Sequence, residues 1–88
     1  MARDTQYSAF GALVRKELTK AQTTQNMLAE RTDASPAYIN NMMTGRKTPP
    51  PEWVDLIASA LNLEGNRRTK LHRAAAKDAG YDIDLTKP

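Results

Sequence analysis

The chain has 88 residues, with 13 Lys and Arg against 10 Asp and Glu, a net charge of +3 and an isoelectric point near 9.5. Domains below about 50 residues rarely bury an adequate core alone, so a single compact domain over residues 1–88 is expected and two are excluded. With no cysteine, and His72 as the single histidine, a disulfide framework and a structural zinc site are both excluded, and no metal or cofactor is expected.

Alternating strand patterns are nearly absent, so an all-α fold is predicted. Phe10, Leu13, Val14, Leu18 and Ala21 share one helical stripe, which predicts a first helix from Ser8 to Ala21. Thr23 or Thr24 offers the N-cap of a short second helix, Gln25 to Arg31, carrying Met27, Leu28 and Ala29. Asp33 and Ala34 interrupt the pattern. Ser35 followed by Pro36 then starts a third helix, because a Ser hydroxyl caps free N–H groups and Pro at the first position has none to leave open. That helix buries Ile39, Met42 and Met43, and Gly45 after Thr44 stops it in the left-handed conformation. Pro49 to Pro51 hold an extended connection into a fourth helix, where Trp53, Ile57, Ala60 and Leu61 share a face and Trp53 is expected to be the largest core residue. Asn66 to Ala79 reads as a fifth helix with a thin stripe of Leu71, Ala74 and Ala75, stopped by Gly80. Met27, Met42 and Met43 are read as core fillers and His72 as a surface residue.

No stretch has the length of a signal peptide's apolar run or approaches the roughly 20 apolar residues of a membrane span, so a soluble cytoplasmic protein without membrane contact is expected. Twelve of the 13 Lys and Arg precede position 78, so the body is more basic than the whole. The run Arg67, Arg68, Lys70, Arg73 and Lys77 reads as a solvated helix face, with contact to phosphates as the alternative. Asp82 and Asp84 are assigned to solvent, since two carboxylates near a terminus lack the further oxygen ligands of a metal site. No nucleophile with a paired base, glycine-rich phosphate loop or metal cluster is present, so catalysis is not expected.

The informative constellation is the second and third helices. Two short helices joined by a tight turn cross steeply, which lets the second enter a major groove about 12 Å wide. Its outward positions are Pro36, Ala37, Asn40, Asn41 and Thr44. Asparagine matches the N6/N7 edge of adenine, and the methyl of Ala37 suits the thymine methyl. Tyr38 has two readings, a ring laid on the helix with its hydroxyl on a phosphate, or a cover for the core edge.

The run TQNMLAERTDASPAYINNMMTGRKTPPPEWVDLIASALNL resembles the Cro/repressor-type, or xenobiotic-response-element-type, helix-turn-helix family, over about residues 10–63. In that resemblance Thr24, Gln25, Leu28 and Ala29 open the second helix, Ser35 caps the recognition helix, Ile39 is core and Gly45 ends it. It implies a compact five-helix, lambda-repressor-like domain and a bacterial or phage regulator, usually a repressor, that binds a palindromic operator in double-stranded DNA as a homodimer. Carried to this chain, Pro36, Ala37, Asn40 and Asn41 face bases, while Thr24, Gln25, Tyr38, Thr44, Arg46 and Lys47 meet phosphates. The chain departs from the family where Gln22 and Asp33 replace common glycines. It departs again where Leu18 and Met43 replace an Arg and a Glu that pair, which predicts an apolar contact between these two in the core. Asn41 stands where Arg or Lys is common, which favours A·T-containing steps.

Two recognition helices reading a palindrome lie about 34 Å apart, so dimerisation is expected. Residues 64–88 supply the expected interface, through Leu71, Ala75, Tyr81, Ile83 and Leu85. The alternative reading is a protein-interaction module of the same fold, an antiactivator or an antitoxin with a protein partner; the small polar residues beside Arg46 and Lys47 favour DNA.

Overall fold

A computed structural model describes residues 6–79. Five helices account for the described residues, and no strand occurs among them: α1 (Ala9–Lys20), α2 (Gln25–Thr32), α3 (Pro36–Met43), α4 (Pro51–Ala60) and α5 (Asn66–Asp78). Their starts follow from side-chain chemistry. The hydroxyls of Ser8, Thr24 and Ser35 accept from the N–H groups of Gly11, Met27 and Tyr38, so each of the first three helices is capped by its own hydroxyl. Of the two threonines offered by the sequence, Thr24 is the cap.

Three of the connections share one device. Gln22, Asp33 and Asn62 hold φ of 55°, 58° and 59°, the left-handed region that glycine usually fills. After each, the next residue's N–H reaches back five positions: Thr23 to Leu18, Ala34 to Ala29 and Leu63 to Ala58, at 3.0, 2.9 and 2.8 Å. These are Schellman-type closures, and polar side chains of Asn, Asp and Gln tolerate the φ that they require. The tight connections needed to cross α2 and α3 therefore survive without glycine.

A single buried cluster joins all five helices. α1 contributes Phe10, Val14 and Leu18; α2 Leu28 and Ala29; α3 Ile39, Met42 and Met43; α4 Val54, Ile57 and Ala58; and α5 Leu71 and Ala75. Leu18 and Met43 both lie in this cluster. The ion pair of α1 sits one residue earlier, where the nearly buried Glu17 meets the guanidinium of Arg67 on α5.

Four expectations are corrected. Trp53 is only half-buried, because α4 turns Val54, Ile57 and Ala58 to the core and leaves the indole at its edge. Met27 is 44% exposed, one position off the face on which Leu28 and Ala29 are buried. Ala21, which closes α1 as its C-cap, is exposed. Leu71 is wholly buried within the protomer, where the thin apolar stripe of α5 packs against α1 and α4, so it is offered to no second copy, whereas Ala75 keeps a narrow exposed edge that lines a surface groove.

Candidate nucleic-acid interface

α2 and α3 pack directly against each other, and α3 is also fixed from behind by α1. Gly11 makes that second contact possible. A Cβ on Gly11 would lie 1.8 Å from the carbonyl oxygen of Met43, so the two backbones touch where any side chain would intervene. The same carbonyl, at the C-terminal end of α3, accepts from the N–H of Ser8 at 2.9 Å and from its hydroxyl at 3.1 Å. Ser8 thus caps α1 and anchors the end of α3 at once.

With Ile39, Met42 and Met43 turned inward, the remaining positions of α3 form the outward face. Pro36, Ala37 and Asn40 are exposed, and Asn41 and Thr44 are half-buried at its margins. Beyond the helix, Arg46 and Lys47 are exposed, with Gly45 at φ 86° turning the chain toward them. The N–H of Lys47 returns to the carbonyl of Asn41 at 3.0 Å, which fixes this basic pair against the end of α3. Every residue assigned by sequence to bases or phosphates, Thr24, Gln25, Pro36, Ala37, Tyr38, Asn40, Asn41, Thr44, Arg46 and Lys47, lies on α2, α3, their caps or the segment following α3.

Three features of this surface were not visible in the sequence. Gln25, the first residue of α2, donates from Nε2 to Oδ1 of Asn40 at 3.3 Å, so the opening of one helix holds a side chain on the other. Because Asn40 accepts there, its own amide NH₂ is left to donate outward. Thr44 donates its hydroxyl to the carbonyl of Asn40 at 2.9 Å, so toward a phosphate it has only lone pairs to offer. Tyr38 stands edge-on to Trp53, ring centroids 5.1 Å apart, with the ammonium of Lys47 6.0 Å from its ring. Of its two readings, the cover for the core edge is the one this packing matches, with the cation that flanks the site near the ring. A paired Gln and Asn fifteen residues apart is the only sequence signal that bears on the first of these.

The basic run on α5 divides by function. Arg67 pairs with Glu17, and Arg68 donates to the hydroxyl of Ser59 at 2.8 Å and to the carbonyl of Asp55 at 3.1 Å, so both tie α5 to its neighbours. His72 is half-buried, its Nε2 2.8 Å from Oδ1 of Asp55. That hydrogen bond above all, aided by the charges of His72 and Arg68, holds the Asp55 carboxyl below the usual carboxylate range against an opposing effect of desolvation. Among the described residues no group of three or more His, Asp or Glu is placed to hold a metal ion, and no helix is long and apolar enough to cross a membrane. Tyr81, Ile83 and Leu85, assigned by sequence to a dimer interface, lie outside the described residues.

The family model of the helix-turn-helix domain matches residues 9–71. Among solved structures, the clp gene regulator ClgR from C. glutamicum is 25% identical, with a TM-score of 0.66 over 86% of this chain and 92% of that one. No curated protein matches.

Proposed function

Because the chain belongs to the helix-turn-helix domain family, we propose that it acts as a repressor or autoregulator that reads a palindromic operator as a homodimer, with α3 in the major groove. It is a DNA-binding transcriptional regulator and not an enzyme. The observation that carries the finer reading is the outward face of α3: small or amide side chains at Pro36, Ala37, Asn40 and Asn41, held by Gln25 on one side and bounded by Arg46 and Lys47 on the other. Short amides and a methyl match adenine and thymine in the groove.

The phosphate contacts follow from the same geometry. Thr24 and Gln25 stand at the positive end of α2, where N–H groups not used within the helix suit a phosphate oxygen. Tyr38, Arg46 and Lys47 meet the backbone and set the register without reading sequence, and Thr44 joins them only by giving up its bond to the Asn40 carbonyl. The protein works in the cytoplasm, where its DNA lies, as in the lambda-repressor-like regulators of bacteria and phages. Its dimer is built without Leu71, which the core holds, and rests on Tyr81, Ile83 and Leu85 with the exposed edge of Ala75.

The test is a mobility-shift titration on the DNA immediately upstream of the protein's own gene, at two salt concentrations, with wild type beside Asn41→Ala. Salt-sensitive, saturable binding that the substitution weakens by about 1–3 kcal/mol at a defined site supports readout through α3. No specific shift there or on a randomised DNA pool would overturn the operator reading and direct attention to a protein partner.

A further inference from the structure

Between α4 and α5 lies a groove of about 300 Å³ that the core does not fill. Pro49, Pro50, Pro51 and Val54 form one wall; Ala76 and Ala79 of α5 form much of the other. Rigid rings on one side and methyl groups on the other keep the helices apart while leaving the space between them apolar. Ligand pockets run from about 300 to 1,000 Å³, so this one suits a few side chains and not a folded partner.

We propose that this groove receives residues 81–85 of a second copy of the chain, so that two molecules exchange their C-terminal segments across a two-fold axis. The inference rests on the homodimer reading above and names the surface that reading lacks once Leu71 is assigned to the core. Three observations select this occupant. First, the segment starts at the groove, since Gly80 follows Ala79, the last residue of its wall, and nine residues remain. Second, Tyr81, Ile83 and Leu85 alternate with Asp82 and Asp84, the pattern of an extended segment with one apolar edge. Residues 81–85 span about 13 Å when extended, against about 10 Å for the stretch of helix from His72 to Ala79 that lines the groove.

The third observation is charge. Arg73 and Lys77 are exposed on α5, three residues before Ala76 and one after it, so helical spacing sets them beside that wall residue, where they would meet Asp82 and Asp84 when the apolar edge faces inward. On the inner side His72 is already engaged by Asp55, and Arg68 reaches the same carboxylate at 3.5 Å, so the acidic segment meets no free anion there. Exchange between copies is preferred to a return onto the segment's own helix because a return must reverse at Gly80 and uses up Tyr81 in the turn. A two-fold exchange seats all three apolar side chains and does so twice, each copy giving and receiving.

The chain has no cysteine, which makes a cross-linking test direct. Full-length Ala76→Cys and Ile83→Cys chains, one of them ¹⁵N-labelled, are mixed and oxidised, and the products are weighed by mass spectrometry. The mixed-mass disulfide dimer is expected to dominate, and Ile83→Asp in the full chain is expected to raise the dimer dissociation constant about 10- to 100-fold with its circular dichroism unchanged. A preparation that sediments as a dimer yet gives no mixed-mass product overturns this inference and leaves the dimer standing. An intrachain disulfide that dominates in the Ala76→Cys/Ile83→Cys double variant overturns the exchange in favour of self-docking. A monomer both free and on the operator overturns the dimer reading and this inference with it.

Discussion

Gly11 is the residue at which one methyl group decides how α1 and α3 meet. Its missing Cβ lets the Met43 carbonyl approach, and that carbonyl is where Ser8 holds the end of the recognition helix. Gly11→Ala is expected to force the helices apart and weaken both Ser8 bonds, lowering the unfolding free energy by about 2–3 kcal/mol in a denaturant titration. A variant as stable as wild type would mean that the approach is relaxed without cost. Between α4 and α5, the Asp55 carboxyl reports the contact of the two helices. Its carboxyl is held below the usual range chiefly by the hydrogen bond to His72, so the contribution of this pair is complete above the ordinary carboxylate range and is lost as pH falls through the depressed value. In an NMR titration of the side-chain carboxyl, His72→Ala should move the Asp55 midpoint upward, and an unmoved midpoint would dissociate the shift from the histidine.

At the scale of whole elements, what was legible in the sequence is what a helix decides locally. Ser35 and Pro36 start α3, Gly45 turns the chain after it, and the stripe of Phe10, Val14 and Leu18 orients α1, all from neighbours within a few residues. The outward face of α3 was legible for the same reason, since burying Ile39, Met42 and Met43 leaves only one other side. What was not legible depends on partners distant in the chain. Trp53 looked like core by size, but the neighbours of α4 select Val54 and Ile57 instead, and Tyr38 meets the indole at the edge. The role of Asp78 is likewise set far along the chain: its carboxylate accepts from the N–H groups of Ala9 and Phe10, at 3.0 and 2.7 Å, across 69 and 68 residues. It thus adds a second cap to α1 beside Ser8 and complements the helix dipole. Asp78→Ala is expected to cost about 1–2 kcal/mol in thermal or denaturant unfolding, with Phe10 among the amides that lose hydrogen-exchange protection. Protection unchanged at Ala9 and Phe10 would refute the cap.

At the scale of the molecule, the question is whether α5 is an appendage of a four-helix reading head or part of it. The family match runs to Leu71, past the end of the stretch that resembled a regulator by sequence, and Leu71 is wholly buried. α5 also supplies the partner of Glu17 and the second cap of α1. Removing a buried leucine costs about 2–5 kcal/mol, and a chain of this length has a total stability of only about 4–13 kcal/mol. Losing Leu71, Ala75, the Arg67 pair and the Asp78 cap together therefore removes an amount comparable to the whole. A chain ending at Leu63 is expected to lack a cooperative thermal transition by circular dichroism, and to lose operator binding although every residue proposed to touch DNA is still present. The mechanism is positional: α5 holds α1, α1 holds the Met43 carbonyl, and that carbonyl ends the helix presented to the groove. A truncated chain that melted cooperatively within a few degrees of wild type would break this chain of support and make α5 an accessory to assembly alone.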